Sequence, residues 1–96
     1  MTSKQRAYLR SAANSMETIL YIGKEGVTPT VLKQTNDALL AREMIKGKVQ
    51  ENCMLTAREA AQELAEAAEC DVVQVIGSRF VLYKPNQKKP VYELPR

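Results

Sequence analysis

Apolar positions at Tyr8, Leu9, Ala12 and Ala13 recur on one stripe at helical spacing, and Thr2 followed by Gln5 has the spacing of a capping box, so a helix is predicted over residues 2–13. Its other positions carry Lys4, Arg6 and Arg10. Thr18-Ile19-Leu20-Tyr21-Ile22 is a β-branched and aromatic run that stops at Gly23, the pattern of a buried strand. Gly23-Lys24-Glu25-Gly26 predicts a tight turn. After it, Thr28 offers an N-cap oxygen and Pro29 suits the first helical position, where its missing N–H costs nothing. The second helix places Val31, Leu32, Thr35, Ala38 and Leu39 on one face and ends at about Glu43. From Ile45 the period becomes two: Ile45, Gly47 and Val49 face one way, and Lys46, Lys48 and Gln50 face the other. Thr56 and Glu59 repeat the capping-box spacing ahead of Ala57, Ala60, Ala61, Leu64, Ala65 and Ala68, the small-residue stripe of a third helix whose outer side is Glu59, Glu63 and Glu66. Two final strands, residues 72–76 and 79–83, flank Gly77-Ser78, a two-residue loop with glycine first that fits a type II′ hairpin.

The order helix, strand, helix, strand, helix, strand, strand predicts one α/β domain over residues 1–96, a two-layer sandwich with a four-stranded mixed sheet. Pro85 closes a folded core of residues 1–85, and residues 86–96 form a basic tail with Val91, Tyr92 and Leu94 as anchors. The last two strands are apolar at alternating and non-alternating positions alike, so part of the second sheet face should be covered by the first helix or by the tail. Tyr8, Tyr21, Phe80 and Tyr83 read mainly as core residues, too few and too strand-buried in pattern for a stacking platform of the RRM or OB type.

Composition narrows the chemistry. A chain of 96 residues, 45% hydrophobic, buries one core without staples. It has no apolar run near the ~20 residues a bilayer span needs, and its start is polar, which predicts a cytoplasmic protein without membrane contact. Cys53 and Cys70 are too far apart for a Cys-x-x-Cys motif and are expected as reduced thiols. The absence of histidine removes Ser-His-Asp and Cys-His arrangements and His-ligated zinc, so no enzyme, cofactor or small-molecule substrate is expected. Glu59, Glu63, Glu66 and Glu69 read as a solvated helix face, not a metal site. The net charge of +3 is segregated: eight cations against four carboxylates in residues 1–50, one against six in 51–76, and five against one in 77–96. Such segregation predicts distinct faces, one of them suited to a polyanion.

Two features fit that polyanion. Glycines at both ends of the Gly23–Gly26 turn let the backbone approach a ligand, the following helix start at Thr28 favours phosphate, and Lys24 adds a charge at the tip. A Gly-x-x-Gly also marks plain tight connections, and this one is neither a Walker loop nor a dinucleotide fingerprint. The second feature is the set Lys4, Arg6, Arg10, Lys46, Lys48, Arg79 and Lys84. Singly each cation is an ordinary solvating residue; together they predict a phosphate-tracking surface.

Gly23-Lys24-Glu25-Gly26-Val27-Thr28, Glu43-Met44-Ile45-Lys46-Gly47-Lys48-Val49, Val73-Gln74-Val75-Ile76-Gly77, Val81-Leu82-Tyr83-Lys84-Pro85 and the closing Leu94-Pro95-Arg96 occur in an order that resembles the CRM domain, for chloroplast RNA splicing and ribosome maturation, in its stand-alone bacterial YhbY-like form. The resemblance covers nearly the whole chain. It implies a fold like the C-terminal domain of translation initiation factor three, and association with ribosomal RNA of large-subunit precursors during ribosome assembly. It also implies that Gly23, Lys24, Glu25 and Gly26 meet RNA backbone, as the comparable loop of KH domains does. Two residues depart from the family's pattern. Glu25 places a carboxylate at the loop tip, and Gly47 interrupts a strand, costing sheet stability or permitting a helix to pack closely. The competing expectation is a protein interaction module that docks a ribosomal protein or assembly factor through the acidic third helix or a sheet edge.

Overall fold

The computed structural model describes residues 1–86 and 90–95; Gln87, Lys88 and Lys89 of the expected basic tail, and Arg96, lie outside the described residues. The elements follow the predicted order: α1 (Ser3–Ala13), β1 (Thr18–Ile22), α2 (Pro29–Arg42), β2 (Met44–Val49), α3 (Ala57–Ala68), β3 (Asp71–Ile76) and β4 (Arg79–Tyr83). Each helix starts at a threonine. The hydroxyls of Thr2, Thr28 and Thr56 accept from the N–H groups of Gln5, Val31 and Glu59 at 3.1, 3.2 and 3.1 Å. A cap of this kind stabilises a helix by ~1 kcal/mol. In α1 and α3 the side chains of Gln5 and Glu59 return the bond, completing the predicted capping boxes. None of these helices is long and apolar enough to cross a membrane.

The sheet is mixed, in the order β1-β2-β4-β3, with β1 parallel to β2 and the other pairs antiparallel. Within the β3–β4 loop the positive φ falls on Gly77, as a type II′ turn requires. One sheet face carries Leu20, Ile22, Ile45, Val49, Phe80 and Leu82 against α2 and α3, where Ala60, Ala61 and Leu64 let α3 lie close. Gly47 sits on this face opposite Phe80. A Cβ there would overlap the Phe80 ring, 2.6 Å from one of its Cε atoms. The close approach anticipated for a helix is therefore made by an aromatic ring of the neighbouring strand.

The second face carries Met44, Val73, Val81 and Tyr83, and both predicted covers are used: Leu9 and Ala13 of α1, and Tyr92 and Leu94 of the tail. The Tyr92 ring meets Tyr83 edge-on, centroids 6.4 Å apart. The Val91 side chain is exposed, so that expected anchor holds only through its backbone. α1 is too short to roof the whole face. As a result β1, expected as a buried strand, is an edge strand buried on one side, and Tyr21 and Tyr8, read as core, are 50% and 39% exposed. Phe80 and Tyr83 are buried as expected.

Candidate nucleic-acid interface

The Gly23–Gly26 segment leaves β1 and enters α2 through a β-turn closed by the Gly26 N–H donating to the Gly23 carbonyl at 3.0 Å. Gly26 has φ +71°, a conformation open to glycine at no steric cost. A Cβ on it would also crowd Leu55 of the β2–α3 loop at 3.3 Å. The turn thereby puts Lys24 and Glu25 at its two corners, both exposed. The helix start contributes less to a phosphate than its sequence suggests. Pro29 has no N–H and the Val31 N–H is held by Thr28, which leaves the Thr30 N–H as the donor of that first turn. Beside the turn lies a cleft of about 330 Å³, lined by Lys24, Glu25, Met54 and Glu63 among others, with Met54 91% exposed at its edge.

The expected cations divide by what they touch. Lys46 and Lys48 share the second face of β2, and Lys48 pairs across to Arg79 of β4 on one side and Tyr21 of β1 on the other. These side chains make no hydrogen bond to a described residue other than the Tyr21 hydroxyl, which donates to the Thr18 carbonyl at 3.4 Å. Arg10 and Lys4 are exposed on α1. Arg10 is one turn before Asn14, which lines a hollow with Lys46, Gln74 and Arg79, whereas Lys4 is at the opposite end of the helix. Arg6 and Lys84 are committed to the fold. The Arg6 guanidinium donates to the Val72 and Val73 carbonyls, and Lys84 Nζ donates to the Ala68 carbonyl at 2.9 Å, closing the C-terminus of α3. Gly23, Lys24, Glu25, Gly26, Lys48 and Arg79 thus gather at the end of the sheet where β1 and β2 finish and β4 begins.

Both cysteines are free. Burial, then the charge of Asp71, pushes the Cys70 thiol up to about 11, with Lys84 partly opposing, so it is not a thiolate at neutral pH. On α3, Glu59 Oε1 accepts from the Thr56 N–H at 2.9 Å, which leaves Glu63 and Glu66 as the carboxylates beside the α2–α3 groove. Tyr21 is a surface residue, not the core residue its type suggests. The signal was available, since strict alternation with Leu20 and Ile22 inside puts Tyr21 outside on any strand buried on one face.

A protein from Bacillus subtilis named probable RNA-binding protein YqeI is 39% identical over 95 residues, covering 99% of both chains. The probable RNA-binding protein MJ0652 of Methanocaldococcus jannaschii is 33% identical over 100 aligned residues, covering all of this chain and 74% of that one. The solution structure of SAV1595 from Staphylococcus aureus superposes with a TM-score of 0.83 at 41% identity, over 99% of each chain. With the CRS1/YhbY (CRM) domain matching residues 1–84, the chain belongs to that family.

Proposed function

We propose that the protein binds RNA, and that its RNA is ribosomal RNA in precursors of the large subunit, where it acts in ribosome assembly in the cytoplasm. The observation that carries this reading is the gathering of the Gly23–Gly26 turn, Lys48 and Arg79 at one end of the sheet, in a family whose relatives are named RNA-binding proteins. The turn holds Lys24 out at a corner, and Lys46, Lys48 and Arg79 continue the positive surface along the sheet, with Arg10 on α1 one turn before Asn14. Arg6 and Lys84 support that surface by fixing α1 and α3. In this reading the protein acts as a binder. A Lys24→Glu variant is expected to bind ribosomal RNA at least several-fold more weakly with an unchanged melting temperature, and unaltered binding removes the turn from the site. Sedimentation of the endogenous protein through a sucrose gradient tests the assembly role. Co-migration with large-subunit particles, lost on adding salt, supports it, and a protein that stays at the top of the gradient refutes it.

A second reading draws on Glu63 and Glu66, which flank a groove with Val27, Pro29 and Leu32 and present a negative rim to a basic protein partner. Under that reading Glu63→Lys with Glu66→Lys abolishes ribosome association while binding to naked RNA persists. Retained association rules it out.

A further inference from the structure

The part of the second sheet face that α1 and the tail leave open has a composition unlike the rest of the surface. Register aligns Tyr21, Lys48, Arg79 and Ile76 as one row across all four strands, about 14 Å at the usual strand spacing. The next row includes Lys46, Val81 and Gln74. No strand carboxylate stands in either row, and the three cations have no hydrogen-bonding or ion-pair partner among the described residues. No described residue pairs with their charge, and an occupant that complements it is anionic.

The apolar members of the row say more about that occupant. Ile76 is 63% exposed and Tyr21 half exposed. The Tyr21 hydroxyl donates to the Thr18 carbonyl of its own strand at 3.4 Å, which keeps the half-exposed ring close to β1. A flat aromatic surface beside unpaired cations fits a polyanion that displays π-faces. A double-stranded RNA offers phosphates and 2′-hydroxyls but keeps its base faces stacked inside; an unpaired strand offers both. Next to the row is the hollow lined by Asn14 and Gln74, about 160 Å³. That is well below the roughly 300 Å³ at which small-molecule sites begin, and its amides can donate to and accept from a base edge.

We infer that this open sheet face binds single-stranded RNA, with one unpaired base stacked on Tyr21 and the neighbouring phosphates held by Lys48 and Arg79. The inference rests on the RNA-binding reading above and adds which form of RNA the sheet takes. It makes Tyr21 a specificity-determining residue: the cations hold any nucleic acid, and the ring selects unpaired bases.

The test uses the full chain and three end-labelled probes of about ten nucleotides, within the usual span of a single-strand site: an unstructured RNA, the duplex of the same sequence, and an abasic strand of equal charge. The unpaired RNA is expected to bind more tightly than the abasic strand. Tyr21→Phe should retain that preference, and Tyr21→Leu should weaken the unpaired RNA about 5- to 150-fold, the loss of one stacked base, while leaving the abasic strand unaffected. Equal binding of the abasic and base-bearing strands by the unmodified protein overturns the inference, and so does a folded Tyr21→Leu variant that binds like the parent. If in either case duplex or ribosomal RNA still binds and Lys24→Glu weakens it, the RNA-binding reading stands without this site. If RNA binds in no form, both fall.

Discussion

Gly47 shows how one residue is chosen by its neighbour across the sheet. In isolation a glycine in the middle of β2 weakens the strand, because it adds backbone entropy to the unfolded chain and packs nothing. Here its missing side chain is the space in which the Phe80 ring lies, 1% exposed, between the sheet and its helices. Gly47→Val, which improves β propensity, is therefore expected to destabilise the protein. The ring has no solvent to move into, and overpacking of this kind costs about 1–3 kcal/mol, or roughly 4–8 °C of melting temperature per kcal/mol in a domain of this size. Chemical denaturation of Gly47→Val in the parent and in a Phe80→Leu background checks the cause. The cost should shrink when the ring is gone, and additive effects of the two substitutions would refute the account. Sequence alone shows the glycine and the phenylalanine but not their register, so the reason for Gly47 becomes visible only once β2 is paired with β4.

At the scale of elements, Glu43 ties the ends of the fold together. It has φ +69°, closes α2 by donating its N–H to the Leu39 carbonyl at 2.8 Å, and accepts the Lys84 N–H on its own carbonyl at 2.9 Å. Its buried carboxylate accepts from the Val91 N–H at 2.8 Å, the Tyr83 hydroxyl at 3.2 Å and the Tyr92 N–H at 3.4 Å. The tail is thus latched to the sheet by one side chain. Glu43→Gln keeps the shape but replaces one acceptor oxygen with a donor, leaving a buried N–H unpaired at a cost of about 1–3 kcal/mol. Hydrogen exchange should then quicken at Val91 and Tyr92 while β2 and β4 remain protected, and uniform loss of protection would mean that the latch is part of the core. The latch also responds to alkali. Burial, and then the charge and hydrogen bond of Glu43, push the Tyr83 phenol up to about 12 from its ordinary 10.0. A group raised on folding contributes its stability in full below the unfolded value and loses it as pH rises through the folded one, so melting temperature should fall as pH rises between about 10 and 12. The helices, strands and caps were legible because each rests on local spacing. Glu43 was not, because a glutamate at a predicted helix end looks like any other solvated residue until the tail, some fifty positions later, returns to it.

At the scale of the whole molecule, the question is which positive charges belong to the RNA and which to the fold. Charge segregation along the chain and the family resemblance together point to a basic face, but a count of cations does not separate Lys84, spent on the end of α3, from Lys48 and Arg79, whose side chains pair with no described residue. Tyr21 needs one fact besides the alternation: a β-branched and aromatic run also fits a strand buried on both sides, whereas β1 is an edge strand buried on one. The division of cations has a thermodynamic signature. Cations that neutralise phosphates release counterions, so the slope of log affinity against log salt falls by about 0.7 for each phosphate of a single strand that is no longer neutralised. Replacing Lys48 and Arg79 together by alanine should therefore flatten the salt dependence by roughly 1.4 with little change in melting temperature. Lys84→Ala should lower the melting temperature by removing a charged hydrogen bond and leave the slope where it was. Titrations of one RNA at several salt concentrations, with melting curves for each variant, separate the two classes. If Lys84→Ala altered the slope as much as the double variant does, the positive surface would extend over the end of α3, and the division of cations drawn from the hydrogen bonds would have to be abandoned.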